Sequence, residues 1–536
     1  MTIQDSTRSI ATSAKHFFSG TAISRLTGLA REVAMAVVFG THPVVAAFWM
    51  AFRFANLMRR LFGEGALHAV FVPHYESLRK QDSALGARFF YDLSTGMMLL
   101  LLAITLMIEG ILGGVLLFAS LKESTFQVIK LTMVMLPALV FICLYALNTS
   151  LLNCERSYFL PSLAPALLNV VWVGAIFFVW QFPIEKGIEY LAMIVVFAFA
   201  LQWGVTAPRV FRYMTRELGE KWREKGFSGR EILKIARPFL LGMIGVAATQ
   251  VNTALDAVFA WAADSQGPAY LWYAIRIQQL PLALIGVGLT GALLPPITRA
   301  IQREEKGQYL HFLNFALTRT LLFMVPVTGG IFALGFCGIN LVYGHGAFSQ
   351  EATYQTTLCL WAYGLALAPM TLVLICASAC YAHKNYRMPT LFSLFTVALN
   401  VTLNALFVYA FHWGAISIAL ATTLSTLGNG VLLAYVLKKH YGLSLDGAAL
   451  SFVKVLLATL LAVAASIILG SCFFHDNTLA WLTGRTLASF TRDITAQLFS
   501  FGMQALTFTV TFLLAAFALR IDAFSLTSFR KLKTLN

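Results

Sequence analysis

The sequence predicts an all-α polytopic membrane protein, and three observations lead to this class. Of the 536 residues, 58% are apolar and only 12% are charged, whereas a soluble domain has about 45–50% and about 25%. The mean hydropathy is +0.74. Apolar runs of about 20 residues, the length that spans roughly 30 Å of hydrocarbon, recur along the whole chain. The strict alternation of polar and apolar residues that is typical of membrane β-barrels is missing.

Fourteen transmembrane helices are predicted from the apolar runs. The predicted spans are 16–39, 43–75, 89–119, 126–153, 161–181, 188–212, 232–262, 268–298, 309–334, 351–381, 389–411, 414–437, 448–472 and 494–519. The loops and tails on one side of these spans carry 26 lysines and arginines, and the opposite loops carry 4. Because basic loops stay in the cytoplasm, both termini are predicted to be cytoplasmic.

The net charge of +15 is explained by this topology, since basic loops face an anionic leaflet. No DNA- or RNA-binding motif accompanies the charge, so nucleic acid is not an expected partner. No cleavable signal peptide is expected either, because the first 15 residues are polar and the first apolar segment is too long. The cysteines have no histidine or acidic residue in a metal-ligand pattern, and no structural metal is predicted.

An internal repeat relates the two halves of the predicted bundle. When the chain is shifted by 223 residues, 46–73 lies over 269–296 with ten identities, which include Trp49/Trp272, Arg53/Arg276 and Pro73/Pro296. With an offset of 228, Tyr158 and Pro161 lie over Tyr386 and Pro389. The first offset equals six spans, an even number, so the copies have the same orientation. This is a parallel repeat with a pseudo-two-fold axis along the membrane normal.

The repeat gives the predicted domain organisation. A six-helix N-terminal lobe is expected over 1–212, a basic cytoplasmic linker over 213–231 and a six-helix C-terminal lobe over 232–440. Residues 441–536 are expected to contain two extra helices and a cytoplasmic tail. In transporters with such repeats the substrate binds between the lobes, near the middle of the membrane.

Arginines inside the predicted spans are the main functional signal. Six of them lie in or between the first, second and eighth spans: Arg25, Arg31, Arg53, Arg59, Arg60 and Arg276. A charge at the centre of a bilayer costs a few kcal/mol on insertion scales, and arginine cannot lose its proton to escape that cost. These residues are therefore predicted to face water, a partner or an anion. A planar guanidinium suits phosphate, so a diphosphate in a cationic cavity is the favoured hypothesis.

Internal ion pairing is the alternative explanation for the arginines. Glu32 follows Arg31, Glu64 lies one turn after Arg60, and Asp256 lies in the seventh span. Three acids do not neutralise six arginines, which favours an anionic substrate for the surplus. No P-loop, ATP-binding signature or catalytic triad is present, so the protein is not expected to be an enzyme.

A second polar set lies in the predicted C-terminal lobe. It consists of Asp256, Asn400, Asn404 and Thr422. Carboxylate, amide and hydroxyl oxygens suit a hard cation such as Na⁺. Hydrogen bonding between helices is the more common role of such residues, and both interpretations stay open from the residues alone. No organic cofactor is expected.

At these residues the sequence resembles the lipid II flippase MurJ/MviN family, in the multidrug/oligosaccharidyl-lipid/polysaccharide exporter superfamily. The resemblance is carried by SRLTGLAREVAMAVVFG (24–40), FANLMRRLFGEGALHAVFVP (54–73), YFLPSLAPALLN (158–169) and GVGLTGALLPPITRA (286–300). It implies two six-helix lobes plus two helices, and alternating-access transport of undecaprenyl-diphosphate-linked peptidoglycan precursor from the cytoplasmic to the periplasmic leaflet. The implied location is the bacterial inner membrane, and the implied partners are lipid II, membrane lipids and the cell-wall synthesis machinery.

The resemblance also implies roles for individual residues. The cavity arginines of the family fall on Arg25, Arg31, Arg59 and Arg276, with Arg60 as the second of the pair, Glu32 as the acidic partner and Glu64 as a further gating candidate. A cation site would fall on Asp256, Asn400, Asn404 and Thr422, where Asn404 replaces an acid of some members. Two further acids of many members are replaced by Ala46 and Ile275. The extra helices resemble a pair that forms a groove for the lipid tail.

Three other functions compete with this interpretation. A flippase for another undecaprenyl-diphosphate oligosaccharide would share the fold and the phosphate chemistry. A cation-coupled drug antiporter would need an acidic cavity, whereas the predicted cavity is basic. A scaffold for cell-wall enzymes would tolerate replacement of the arginines. Energy coupling through Na⁺, H⁺ or the membrane potential is left open by the sequence.

Overall fold

In the computed structural model, most described residues lie in α-helices. The description covers residues 7–62, 66–155, 157–219, 229–283, 297, 299–301, 303, 305–383, 385–443, 448–473 and 491–521. Within those ranges there is no β-strand, which confirms the predicted all-α class. The chain divides into two compact units, Met1–Ala257 and Val258–Asn536.

The described residues of the first unit form eight helices and most of a ninth. They are α1 (Thr7–Phe39), α2 (Pro43–Phe62), α3 (Ala66–Gln81), α4 (Ser83–Phe118), α5 (Glu123–Met135), α6 (Ala138–Cys154), α7 (Phe159–Val179), α8 (Ile184–Leu218) and α9 (Arg230–Ala263). The division between the units falls inside α9, after the predicted linker 213–231. The predicted lobes and linker stay a prediction.

The second unit contains the remaining described helices. They are α10 (Gly267–Pro281), α11 (Lys306–Tyr343), α12 (Gln350–Leu365), α13 (Leu367–Ala382), α14 (Arg387–Ala405), α15 (Ile416–Tyr441), α16 (Ala448–Phe473) and α17 (Ile494–Ala518). A π-helical turn over Leu406–Ala410 continues α14.

Nine helices in the described ranges are long and apolar enough to cross a membrane, and ten when the bent pair α5–α6 counts as one. These helices coincide with the third to sixth and the ninth to fourteenth predicted spans. The polytopic membrane class is therefore confirmed, whereas the number fourteen stays a prediction. The first, second and eighth predicted spans, which carry the six candidate arginines, and the seventh, which carries Asp256, are outside this set of described helices.

One of the predicted spans is bent in the described part of the structure. The fourth, predicted over 126–153, bends by 43° between α5 and α6. Pro137 lies at this bend, and its ring removes a backbone donor and clashes with the preceding turn. The described parts of the second predicted span, 43–75, lie in α2 and α3.

Local capping explains where several helices begin and end. The Asp82 side chain accepts a hydrogen bond from Ala84 N at 2.9 Å at the start of α4. Such a side-chain oxygen satisfies one of the amides that have no partner inside the helix. Gly442 ends α15 with φ +75°, a left-handed conformation that glycine adopts without strain. Lys438 and Lys439 in that last turn face the negative end of the helix dipole.

Aromatic side chains from α3 and α4 contribute to the main core of the first unit. Phe71 and Tyr75 on α3 stack with ring centroids 5.3 Å apart. Phe71 also stacks on Phe89 of α4 at 5.8 Å. All three side chains are buried, and apolar residues of α6 and α8 complete the cluster.

A cluster of polar side chains lies at one end of this core. The Tyr75 hydroxyl lies 2.5 Å from the Tyr213 hydroxyl and donates to Glu155 Oε1 at 3.3 Å. Because Tyr75 has one hydroxyl hydrogen, Tyr213 is then the donor to Tyr75. Arg79 forms an ion pair with Glu155 at 3.0 Å. Burial raises the pKa of Glu155 above its usual range, and the Arg79 charge opposes that shift.

Helix α11 connects the extra helices α16 and α17 to the rest of the second unit. A Cβ at Gly329 would lie 2.2 Å from Thr459 Cγ2 on α16. A Cβ at Gly335 would lie 2.5 Å from Trp361 Nε1 on α12. Glycines on two faces of α11 therefore allow close contact with α16 and with α12. Small residues at helix contacts are typical of membrane proteins, because they let backbones approach.

Backbone hydrogen bonds of the same spacing lie just after α6 and α13. In the first unit, Ser157 N donates to Leu152 O at 2.8 Å. In the second unit, Asn385 N donates to Cys380 O at 2.9 Å. Both the donors and the acceptors are separated by 228 residues, the second offset of the predicted repeat.

Candidate functional site

Arg31, in the C-terminal third of α1, is the best-defined site residue. Its Nη2 donates to Glu32 Oε1 at 2.6 Å, and its Nη1 donates to Asn169 Oδ1 at 2.9 Å. The Arg31 side chain is 11% exposed and that of Glu32 is 4% exposed. Glu32 is therefore an ion-pair partner of Arg31 in the structure. The guanidinium is thus held by one carboxylate and one neutral amide.

Helix α7 supplies both Asn169 and a second contact of Arg31, the Trp172 ring. The guanidinium carbon lies 4.6 Å from the centroid of the Trp172 ring, a distance at which a cation is attracted to the ring face. The Asn169 amide donates to Ser24 O at 3.1 Å and to Thr27 Oγ1 at 3.2 Å. Asn169 and Trp172 are three residues apart and therefore share one face of α7.

Aromatic residues of α2 hold Trp172 in place. Its ring lies 5.7 Å from Phe48, 6.3 Å from Trp49 and 5.1 Å from Phe52, measured between ring centroids. Trp172 is fully buried, so its ring has little freedom to move. Because Phe52 precedes Arg53, the helix that fixes this ring also carries the next arginine.

The other arginines of the first unit are placed differently. Arg25 is exposed on α1, and no ion pair joins it to another described residue. Arg53 is half-buried on α2. Arg60 donates to Gln250 Oε1 on α9 at 3.4 Å. The side chain of Arg59 and the whole of Glu64 lie outside the described part of the structure, and their predicted roles stay predictions.

Arg276 in the second unit repeats the contact of Arg31 with an indole ring. On α10 its guanidinium carbon lies 4.3 Å from the centroid of the Trp272 ring. Trp272 is 5% exposed. Each unit therefore contains a guanidinium that stacks on a buried tryptophan. A cavity shared by these arginines stays a prediction.

The predicted cation residues of the second unit form a hydrogen-bonded chain. Asn404 Nδ2 donates to Asn400 Oδ1 at 3.0 Å, and Asn400 Nδ2 donates to Thr422 Oγ1 at 3.4 Å and to Ser425 Oγ at 3.5 Å. Both asparagines are fully buried. This arrangement joins α14 to α15 and fits the alternative of hydrogen bonding between helices. Asp256 is buried on α9 and belongs to the first unit.

Several site residues were missed by sequence reasoning. Asn169 stands alone in an apolar run, and only folding brings it to Arg31. Trp172 is indistinguishable in sequence from a core tryptophan, and Gln250 carries no charge. Asp92 is a further buried acid outside the Arg31 contact set, within the third predicted span, where its Oδ1 forms an ion pair with Arg88 Nε at 3.3 Å. A count of acids inside the spans would have found Asp92.

The fold defines a polytopic α-helical membrane protein, and its helices α1, α2 and α10 carry guanidinium groups. Residues 35–489 match the family model described as "Lipid II flippase MurJ". The chain therefore belongs to the lipid II flippase MurJ family. It is a transporter and not an enzyme.

Curated relatives cover most of the chain. It is 34% identical over 432 residues to the probable lipid II flippase MurJ of Chlamydia muridarum (strain MoPn / Nigg), which is 81% of this chain and 79% of the relative. It is 28% identical over 395 residues to the lipid II flippase MurJ of Burkholderia cenocepacia, which is 72% of this chain and 76% of the relative.

Solved structures show the same fold. A structure of the lipid II flippase MurJ in an inward closed conformation aligns with a TM-score of 0.76 at 24% identity, over 95% of this chain and 99% of that one. An inward-facing multidrug resistance MATE family transporter of the MOP superfamily aligns with a TM-score of 0.66 at 14% identity, over 78% of this chain and 94% of that one.

Proposed function

We propose that this chain moves lipid II from the cytoplasmic to the periplasmic leaflet of a bacterial inner membrane, for peptidoglycan synthesis. The observation that carries this proposal is the Arg31 contact set in a family of lipid II flippases. A guanidinium lies within an apolar bundle, where it is held by Glu32, Asn169 and Trp172. Such an arrangement keeps a permanent cation ready at a fixed position.

The chemistry of the arginines supports a diphosphate group as the bound part of the substrate. Arginine stays charged at any physiological pH, and its planar fork binds phosphate oxygens in pairs. Arg31 has five N–H groups, and the contacts with Glu32 and Asn169 use two of them. Its Nε is buried and has no hydrogen-bond partner among the described residues. A phosphate oxygen would satisfy such donors.

The proposed mechanism is alternating access between two lobes, with both termini in the cytoplasm. The inward-open state admits the diphosphate to the arginines while the polyprenyl tail stays in the lipid. Neutralisation of the arginines by the diphosphate then lowers the repulsion between the lobes and favours the outward-open state. The backbone hydrogen bonds of the same spacing after α6 and α13 support the fourteen-helix, two-lobe repeat on which this mechanism depends.

The membrane potential is the proposed energy source. A potential of 100 mV favours outward movement of each negative charge by about 2.3 kcal/mol. The same potential favours inward movement of positive arginines and so helps the reset. If Na⁺ is coupled instead, Asp256, Asn400, Asn404 and Thr422 are the residues that would hold it. The oxygen of Asn400 would then have to exchange the Asn404 amide for the cation.

Complementation of a flippase-depleted host tests the proposal. The unmutated chain is expected to restore growth, whereas Arg25→Ala, Arg59→Ala and Arg276→Ala are expected to fail at equal membrane abundance. Arg319→Ala is the matched control, because Arg319 also stacks on an aromatic ring in the second unit, at 5.5 Å from Phe315, and lies outside the proposed site. Full rescue by all three variants would remove the arginine mechanism.

A second measurement separates lipid II from other cargo. In inner-membrane vesicles, a membrane-impermeant hydrolase should cleave translocated lipid II only when the functional chain is present. An excess of another undecaprenyl-diphosphate oligosaccharide should not prevent that cleavage. Failure of the inserted, unmutated chain to expose lipid II would refute the substrate assignment, and competition by the other oligosaccharide would favour the rival flippase function. Physical association with cell-wall enzymes is a further part of the proposal, which co-purification tests.

A further inference from the structure

We propose that Asn169 is a positioning residue for substrate binding: its neutral amide fixes the Arg31 guanidinium in a binding orientation without neutralising it. This inference rests on the proposed function, because it concerns how the same arginine meets a diphosphate. It adds to that function a residue on a different helix and a reason for its chemical type.

The contacts of Asn169 use both ends of its amide. The carbonyl oxygen accepts from Arg31 Nη1 at 2.9 Å. The amide nitrogen donates to Ser24 O at 3.1 Å and to Thr27 Oγ1 at 3.2 Å. The two donations hold the amide against α1 and fix which end faces the arginine. A Cβ at Gly28 would lie 3.5 Å from Asn169 Nδ2, in ordinary contact, so the amide packs directly against α1.

Three groups together determine the plane of the guanidinium. Asn169 Oδ1 and Glu32 Oε1 each hold one terminal nitrogen, and Trp172 supports the face at 4.6 Å. Two hydrogen bonds and a stacking contact leave the flat group little rotational freedom. The Nε–H remains as a buried donor without a partner in the described part of the chain. A buried, unused donor on a fixed cation favours an anionic ligand.

The neutrality of Asn169 is the second part of the inference. With Glu32 alone, Arg31 has one counter-charge. An aspartate at 169 would accept the same hydrogen bond but would add a second negative charge. The group would then repel a diphosphate. An amide therefore gives orientation without charge, which a carboxylate of almost the same size does not.

A purely structural role is the competing explanation, and the first unit contains a matched control. Asn148 on α6 is buried and donates to Thr206 Oγ1 on α8 at 3.0 Å. It joins two helices as Asn169 does, without contact to an arginine among the described residues. If Asn169 only joins α1 to α7, replacing either asparagine should affect stability alone.

The experiment measures binding of undecaprenyl diphosphate to the full chain in nanodiscs, with a melting curve for each variant. Asn169→Ala is expected to weaken binding about tenfold, in keeping with the loss of one charge-assisted orienting contact. Asn148→Ala is expected to leave the Kd unchanged while it lowers the melting temperature by as much as Asn169→Ala does. Equal Kd values for Asn169→Ala and the unmutated chain would overturn the proposal.

Moving the carboxylate from position 32 to position 169 distinguishes the positioning role of Asn169 from a purely structural one. Asn169→Asp should bind more weakly than Asn169→Ala, because Arg31 then faces two negative charges. The double variant Glu32→Gln/Asn169→Asp restores a single counter-charge and should bind more tightly than Asn169→Asp. If the double variant binds as weakly as Asn169→Asp, or more weakly, the charge argument is wrong.

A readout without substrate keeps this inference distinct from the proposed function. Phenylglyoxal modifies accessible arginines, and mass spectrometry reports the rate at Arg31. That rate should rise several-fold in Asn169→Ala and stay unchanged in Asn148→Ala. If the unmutated chain binds no undecaprenyl diphosphate, the proposed function fails. An unchanged rate at Arg31 in Asn169→Ala would instead refute the positioning role of Asn169.

Discussion

Replacing Gly329 with alanine tests the packing of α16 on α11. The added Cβ would lie 2.2 Å from Thr459 Cγ2 and 3.2 Å from Val463 Cγ2. Ordinary contact between such atoms is close to 4 Å, so either a side chain or a helix must move. Thr459 is 3% exposed, and its hydroxyl donates to Val455 O at 2.7 Å. That bond resists rotation of the methyl group away from α11.

The expected cost follows from this overlap. Forcing an extra methyl group into a packed interior costs about 1–3 kcal/mol. With a central value of about 2 kcal/mol, the melting temperature of the second unit should fall by about 3 °C, given the entropy of unfolding expected for a region of this size. Differential scanning fluorimetry in detergent measures such a shift.

Two further variants decide whether the reasoning holds. Gly330→Ala places its Cβ 3.7 Å from Phe508 Cε1, which is ordinary contact, so its melting temperature should equal that of the unmutated chain. Thr459→Ser removes the methyl group that Gly329→Ala would meet, and the double variant should recover most of the loss. Equal melting temperatures for Gly329→Ala and Gly330→Ala, or no recovery in the double variant, would refute the packing argument.

Three other measurements test separate contacts. The folded state holds the Glu155 proton more tightly than the unfolded state, so the stability that this group contributes is present at low pH and lost as pH rises through its raised pKa. Glu155→Gln should therefore raise the melting temperature more at pH 7.5 than at pH 5. An equal change in melting temperature at both pH values would contradict this. Arg276→Lys should weaken undecaprenyl diphosphate binding about tenfold, because lysine lacks the flat fork that stacks and binds phosphate in pairs; Arg319→Lys should not, and equal effects would remove the special role of Arg276. Glu189→Gln breaks the partly exposed ion pair with Lys130 and should change stability by less than about 1 kcal/mol; a larger loss on thermal melting would show that this pair is shielded from water.

Composition and apolar periodicity were enough to predict the all-α membrane class. They predict it because lipid leaves almost no other backbone structure available. The same reasoning was weaker at breaks: the predicted span 126–153 contains Pro137, whose effect on direction depends on how its neighbours pack. The arginines of the first, second and eighth predicted spans stay candidates for the site, since an arginine in an apolar run needs a specific reason. Their individual partners depend on tertiary contacts.

The Arg31 contact set shows where sequence reasoning stops. Pairing with Glu32 was predictable because the two residues are adjacent. Asn169 is 138 residues away from Arg31, and a single asparagine in an apolar helix has no pattern that names its partner. The hydrogen bond between Asn400 and Asn404 was partly predictable. Their spacing placed them on one face of a helix, but the direction of the hydrogen bond needed coordinates.

The way α16 and α17 join the second unit determines how far these two helices depend on the other helices of that unit. Both helices pack chiefly on each other and on α11, so a single helix provides the seam, and glycines at that seam provide the clearance. Two helices that pack chiefly on one neighbour can be removed while most contacts among the other helices stay in place. The contact with α11 therefore makes α16 and α17 a separable part of the second unit.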